Sequence, residues 1–233
     1  MFNKKILIGD GKLTIFEVLL IALIGFLFSR SVEAAGKAGY NSYVAKNYTA
    51  EQIFVKDAAD SFNIRRYWDG RNYGTLWDFC GSTITADHVI SNTIDNGEGQ
   101  VGKTANRNGG IADVVHYGNW ECESVTEISQ GDVVSIIGFP GGSSEPSMRE
   151  GSVYIKRSVS GSDGYETPTW IVAFKSEEPV VGGMSGGIVI KDNEPVGVLV
   201  VQNSPADLDG DGKEDHSSDI VSLADYHMVL SNR

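Results

Sequence analysis

Three hydrophobic patterns follow one another along the chain. Residues 13–28 read LTIFEVLLIALIGFLF, and the uninterrupted apolar run within them is 18–28. That run is short for a membrane-spanning helix of about 20 residues and has the size of a signal-peptide core. With Lys4, Lys5 and Lys12 before it, the segment predicts a hydrophobic helix that keeps the N-terminus in the cytoplasm and sends the rest across. Two fates fit: cleavage after Ala34, or retention of 13–28 as a short anchor with Glu17 near the inner surface. Residues 35–48 are small, polar and tyrosine-dotted, and read as a linker. Ile53, Phe54, Ala58 and Phe62 then fall near helical spacing behind Thr49 and Gln52, which resemble a capping box. This predicts an amphipathic helix over 50–62.

From Gly74 onward the texture changes. Short β-branched runs at 81–85, 133–138, 153–157, 170–174, 188–190 and 196–201 alternate with Gly, Asn, Asp and Ser clusters. Such spacing predicts a sandwich or barrel rather than a βαβ fold. The closing ADYHMVLSNR predicts a short terminal helix. There is no internal repeat and no long low-complexity tract.

The composition sharpens this reading. A chain of 233 residues suits one domain of about 180–200 residues plus an appendage. Its 28 glycines and its richness in Val and Ile support an all-β fold with many tight turns. The net charge of −12 argues against nucleic-acid binding, because little would neutralise phosphates. Cys80 and Cys122 are too few for a disulfide scaffold; they are either two free thiols or one bridge, and export favours the bridge.

The stretch with the most chemical content is GGMSGGIVI, residues 182–190. Ser185 there is either a turn residue or a nucleophile, and a serine hydroxyl becomes nucleophilic only when an imidazole takes its proton. The imidazole in turn needs a carboxylate to hold its tautomer. Of the four histidines, His216 lies in an acidic loop and His227 in the terminal helix, while His116 sits in VVHYG and reads as structural. His88, in STITADHVI, directly follows a β-branched strand. Three carboxylates compete to orient it. Asp95 lies in a glycine-rich loop, Asp132 reads as the turn before a strand, and Asp113 opens the strand-like IADVV.

Here the chain resembles the trypsin-like serine peptidases. FCGSTITADHVI is similar to the stretch around their catalytic histidine, IADVV to the strand start carrying their aspartate, and GGMSGG to their nucleophile turn. The order His, Asp, Ser is that of the chymotrypsin architecture. VVSIIGFPGG, residues 133–142, resembles the segment between aspartate and serine in the short bacterial members, including the high-temperature-requirement peptidases. The resemblance covers about residues 72 to 230.

The resemblance implies two six-stranded antiparallel β-barrels with a short C-terminal helix, in a peptidase domain spanning 49–233 behind a leader or anchor (1–34) and a linker (35–48). It implies a serine endopeptidase acting on protein or peptide substrates. Ser185 would attack the scissile carbonyl, His88 would act as base and then acid, and Asp113 would orient His88. The backbone N–H groups of Gly183 and Ser185 would form the oxyanion hole. Met184 stands where cleavage-activated members carry an aspartate that pairs with the freed N-terminus, so no zymogen cleavage is expected. By the same resemblance Pro179, Val180, Val200, Val201 and Gln202 would build the P1 pocket. No carboxylate appears at its expected base, which favours small or medium apolar P1 residues over Lys or Arg.

Two further features stand apart. DLDGDGKED, residues 207–215, places Asp207, Asp209, Asp211 and Asp215 at positions 1, 3, 5 and 9 of a calcium-loop pattern, with Gly212 at position 6 and the Lys213 carbonyl at 7. Position 12 is Ser218 rather than the glutamate of an EF-hand, so the loop at 207–218 resembles the aspartate-rich calcium loops of extracellular repeat proteins. LTIFEVLLIAL resembles the leader of type IV pilin-like proteins, although Lys12 occupies the place of their glycine. The competing functions are therefore a trypsin-like fold serving as a binding module with weak or no catalysis, and a pilus-associated subunit. The set of His88, Asp113 and Ser185 favours the peptidase.

Overall fold

The computed structural model describes residues 5–8, 11–14, 48–68, 70, 72–90, 113–160, 166–174 and 179–231. The chain divides into two units, Met1–Ile53 and Phe54–Arg233. In the first, β1 (Lys5–Ile8) and β2 (Gly11–Thr14) form an antiparallel hairpin in which Lys5 faces Thr14 and Ile8 faces Gly11. Leu13, the expected start of the hydrophobic helix, thus lies in a strand, and the remaining residues 15–28 fall outside the described ones. No helix among the described residues is long and apolar enough to cross a membrane.

The helix expected over 50–62 is α1 (Ala50–Ser61). Its capping box is formed in both directions: the Gln52 N–H donates to Thr49 Oγ1 at 3.1 Å, and the Thr49 N–H to Gln52 Oε1 at 2.9 Å. Val55 and Ala58 are its buried face, with Phe54 and Phe62 packed alongside.

In the second unit, β3 (Arg65–Trp68), β4 (Tyr73–Phe79), β5 (Ser82–Ala86) and β6 (Val114–Gly118) form an antiparallel sheet in chain order. Next come β7 (Val133–Gly138), β8 (Ser147–Ser160), β9 (Glu166–Phe174), β10 (Ile188–Lys191), β11 (Glu194–Gln202) and β12 (His216–Ser222). They close into one antiparallel barrel in the order β10-β11-β12-β9-β8-β7. Helix α2 (Leu223–Ser231) follows. Of the two expected six-stranded barrels one is present as a closed barrel; the other described strands form a four-stranded sheet, and residues 91–112, between β5 and β6, lie outside the described ones.

The continuous apolar runs of β10 and β11 have a simple cause: both faces of these strands are buried. Val189 and Leu199 belong to the barrel interior with Val134, Val172 and Ile220. Their neighbours Ile188, Ile190, Val198 and Val200 belong to a second core shared with Trp77, Ile84 and Val115 of the four-stranded sheet. A strand with both faces covered does not alternate polar and apolar residues. β12 is a strand that its letters conceal. His216, read as part of an acidic loop, opens it, and Ser217, Ser218 and Asp219 are buried within it. The Asp219 carboxylate is accommodated by the Arg157 guanidinium and by the Thr169 hydroxyl at 2.9 Å.

Cys80 and Cys122 are joined by a disulfide spanning 42 residues of sequence. In the chain-entropy picture a closed loop of that length restrains the unfolded chain by about 4 kcal/mol. His88 and Asp113 both lie inside it.

Candidate active site

The end of β5 runs into a single 3-10 turn, Asp87–Val89, which carries His88. Asp113 immediately precedes β6, and the pairing of β5 with β6, Ala86 opposite Val114, brings the two residues together. The Asp87 N–H donates to the Asp113 carbonyl at 3.1 Å, and the His88 backbone N–H to Asp113 Oδ1 at 3.0 Å. The ring completes the contact, with Nδ1 2.8 Å from Asp113 Oδ2 and 2.9 Å from Oδ1. Nδ1–H donating to an ionised carboxylate leaves the lone pair of the neutral ring on Nε2, the nitrogen a base would use. Burial alone would lower the His88 pKa; the hydrogen bond and charge of Asp113, with the charge of Asp87, outweigh it and raise the pKa above 6.5.

The rival carboxylates resolve differently. Asp132 accepts from the Lys191 ammonium at 2.7 Å and the Ser129 N–H at 2.8 Å, contacts that hold its pKa below the usual value. Asp95 lies outside the described residues. His116 is buried in β6, shares a 2.6 Å hydrogen bond with the Tyr226 hydroxyl of α2, and has its pKa lowered by burial.

The turn 182–187 is fixed almost atom by atom. Its carbonyls are all engaged: Gly182 O by the Gly141 N–H at 2.7 Å, Gly183 O by the Thr75 hydroxyl at 3.3 Å, and Met184 O by the Gly187 N–H at 2.8 Å. Ser185 O accepts from the Thr75 N–H at 2.9 Å, Gly186 O from Trp77 Nε1 at 2.9 Å, and Gly187 O from the Leu199 N–H at 2.9 Å. The N–H groups of Met184, Gly186 and Gly187 donate to Val181, Leu199 and Met184. Within the turn 182–187 the N–H groups of Gly182, Gly183 and Ser185 have no backbone acceptor among the described residues, and of these three residues Gly182 is exposed, Gly183 buried and Ser185 half-buried. Backbone donors shielded from water are nearly always paired, so the Gly183 and Ser185 N–H groups are ones that a bound acceptor could satisfy.

Gly183 has φ +92°, and a Cβ there would stand 2.5 Å from the Phe139 carbonyl and 2.7 Å from the Gly142 nitrogen. Only glycine fits that backbone-to-backbone contact. Gly186 is equally confined, its missing Cβ 2.2 Å from Thr85 Oγ1 and 3.1 Å from the Ala86 nitrogen. The turn is thereby seated on the end of β5, two residues before His88. Met184 is fully buried in the barrel interior.

His88 and Gly183 line one cleft, together with Asn72, Tyr73, Val89, Gly141 and Gly182. Ser185 is half-buried, and its hydroxyl and the His88 ring are not hydrogen-bonded to each other. Catalytic contacts of that kind often tighten only with substrate in place. The residues expected to form the P1 pocket are dispersed. Val180 belongs to the barrel core and Val200 to the second core; Pro179 is half-buried, its carbonyl accepting from Arg149 Nε at 3.4 Å, and Val201 and Gln202 are exposed.

Sequence reasoning did not find Thr75. It lies in β4, fully buried, and its side chain accepts from the Phe139 N–H at 3.3 Å while donating to Gly183 O. A threonine in a strand looks like an ordinary β-former, so nothing flagged it. The turn signal in FPGG was readable, but not its partner across the chain.

In the acidic loop the carboxylates of Asp207, Asp209 and Asp215 converge, each offering an oxygen within 4.8 Å of the others. Asp207 accepts from the N–H groups of Gly210 and Gly212, at 2.7 and 3.0 Å, and Asp215 from the Leu208 N–H at 3.0 Å. Gly210 and Gly212 have φ of +81° and +83°. Asp211, expected in the same set, instead accepts from the Lys213 N–H at 2.8 Å and faces the Lys213 ammonium at 3.7 Å. Three converging carboxylate oxygens on a tight turn suit a hard cation such as calcium.

No protein-family model matches the chain, and no curated protein matches it. Among solved structures it is similar to an inactive form of a serine-to-alanine mutant of Rv3671c from M. tuberculosis H37Rv, with 15% identity over 79% of this chain and 94% of that one, at a TM-score of 0.52. A chymotrypsin from Cellulomonas bogoriensis matches at 13% identity, covering 72% of this chain and 92% of that one, with a TM-score of 0.46. The MamO protease domain from Magnetospirillum magneticum matches at 15%, covering 73% and 94%, with a TM-score of 0.44. At 15% identity the likeness to Rv3671c is one of fold alone.

Proposed function

We propose that the chain is a serine endopeptidase working through Ser185, His88 and Asp113, with the N–H groups of Gly183 and Ser185 as its oxyanion hole. The observation that carries this reading is that the N–H groups of Gly183 and Ser185 have no backbone acceptor among the described residues, in a turn whose carbonyls are all engaged. His88 supports it, since its Nδ1 is held by Asp113 and its Nε2 left for proton transfer. In the proposed reaction the Ser185 hydroxyl adds to the scissile carbonyl as its proton passes to His88 Nε2. The oxyanion is held by the two N–H groups, and His88 returns the proton to the leaving amine. Water then repeats the sequence on the acyl-enzyme. Covalent labelling of Ser185 by a fluorophosphonate tests the reading.

The enzyme acts without cleavage of its N-terminus. Met184, buried among barrel side chains, supports this, because packing holds the turn where a freed N-terminus would have needed an acidic partner. The peptidase domain is exported, in keeping with its Cys80–Cys122 bridge, and residues 1–34 direct or anchor it.

The acidic loop binds one calcium ion through Asp207, Asp209 and Asp215, with the Lys213 carbonyl as a further ligand. Bound calcium would neutralise mutual repulsion among the carboxylates and fix the link between β11 and β12. Millimolar calcium is expected to raise the unfolding temperature above that in chelator, and Asp207→Asn with Asp215→Asn to erase the difference. Equal unfolding temperatures for the parent chain in calcium and in chelator would contradict it.

A further inference from the structure

The peptide joining Gly182 to Gly183 lies between two glycines, so little in its own side chains resists rotation. A half-turn would replace the Gly183 N–H by the Gly182 carbonyl, setting a lone pair where a donor is needed. The contact that fixes Gly182 O is the Gly141 N–H, at 2.7 Å. Gly141 sits in the short turn Pro140–Gly142, where Gly141 and Gly142 have φ of +60° and +71°. The turn has two hydrogen bonds of its own, from the Gly142 N–H to Phe139 O at 3.1 Å and from the Ser143 N–H to Pro140 O at 3.0 Å, but two adjacent glycines leave it soft, and contacts from outside add to its rigidity.

The hairpin of β3 and β4 supplies them. Arg66, exposed on β3, donates from Nη1 to the Gly142 carbonyl at 2.8 Å. Tyr73, at the start of β4, lays its ring against the Gly142 Cα, where a Cβ would be 2.3 Å from Cδ1. The Tyr73 ring is itself held by stacking on Trp68, with centroids 4.1 Å apart and planes 18° apart. A chain of contacts therefore runs from an exposed guanidinium through Gly142 and Gly141 to the peptide that presents the Gly183 N–H.

We propose that Arg66 is a positioning residue for the oxyanion hole: with Tyr73 it clamps the Pro140–Gly142 turn, which holds the 182–183 peptide in its donor-presenting orientation. The inference rests on the peptidase reading above. Arg66 does not line the cleft, so its loss leaves ground-state contacts with substrate intact. Tyr73 does line it, so substitution there would mix positioning with binding.

The test uses the full chain, with Arg66→Ala and Arg66→Lys beside the parent. Hydrolysis of a peptide ester or amide is followed together with inhibition by a peptidyl boronate, whose tetrahedral Ser185 adduct places an oxygen in the hole, and by the matching product peptide. Losing an oxyanion donor outright lowers kcat by about 10²–10³, so loosening one is expected to lower kcat about tenfold for Arg66→Ala. Boronate affinity should fall in parallel, with KM and product-peptide affinity unchanged and Arg66→Lys recovering part of the loss. Equal kcat and boronate affinity in parent and Arg66→Ala would overturn the inference while leaving the peptidase intact. A parallel rise in KM and product-peptide Ki would also overturn it, pointing to a general structural role. Absence of turnover and of boronate binding in the parent would overturn the peptidase reading, and this inference with it.

Discussion

Asp113→Asn is expected to lower kcat by about four orders of magnitude while leaving KM nearly unchanged. The carboxylate does two things at once. Its oxygens accept from both the ring Nδ1 and the backbone N–H of His88, at 2.8–3.0 Å, so it fixes where the ring lies and which nitrogen is free. Its charge also stabilises the imidazolium that forms during attack. An asparagine of the same shape can present an N–H to Nδ1, which selects the wrong tautomer. The pH profile should respond as well. Proton transfer needs neutral His88, so kcat/KM falls as pH drops through its raised pKa. Without the hydrogen bond and charge of Asp113, burial is opposed only by Asp87, and the acid limb of the variant is expected at lower pH. A loss under tenfold, with an unmoved acid limb, would remove Asp113 from the mechanism.

Gly183→Ala should cost about 10²–10³ in kcat, the effect of losing an oxyanion donor. The added methyl would meet the Phe139 carbonyl at 2.5 Å and the Gly142 nitrogen at 2.7 Å, both backbone atoms that cannot swing aside. A φ of +92° is also strained for alanine. Relief requires rotating the 182–183 peptide or displacing the Pro140–Gly142 turn, and either removes the Gly183 N–H from its place. Stability should fall too, by about 1–3 kcal/mol for a side chain forced into this conformation. Steady-state kinetics and thermal unfolding of the same samples separate the two effects. Full activity in a destabilised variant would show that the Gly183 N–H is not needed.

How much of this was readable beforehand depended on how local the signals were. The capping box of Thr49 and Gln52 is local, and α1 begins where it predicts. The apolar runs of β10 and β11 were legible because both strand faces are buried. β12 was not, since its Asp219 is accommodated by Arg157 and Thr169, and its backbone is paired with β9 and β11, all partners that its own letters do not show. The pairing of His88 with Asp113 rather than Asp132 could be argued from strand patterns, and Asp132 proves to be engaged by Lys191. The hub at Thr75 and the clamp from Arg66 could not, because each depends on partners more than 60 positions away whose letters carry no sign of the contact. The P1 pocket fared worst among the site residues. Val180 and Val200 look the same in sequence whether they line a pocket or fill a core, and here they fill cores.

The central claim is that Ser185 is an activated nucleophile in a chain whose N-terminus has not been cut. Reaction of the uncut protein with a fluorophosphonate, followed by mass analysis of the modified peptide, addresses it directly. The expected result is stoichiometric modification confined to Ser185, abolished in Ser185→Ala and strongly slowed in His88→Ala. An intact, folded chain that takes up no label, or one that labels equally with alanine at 185, would contradict it.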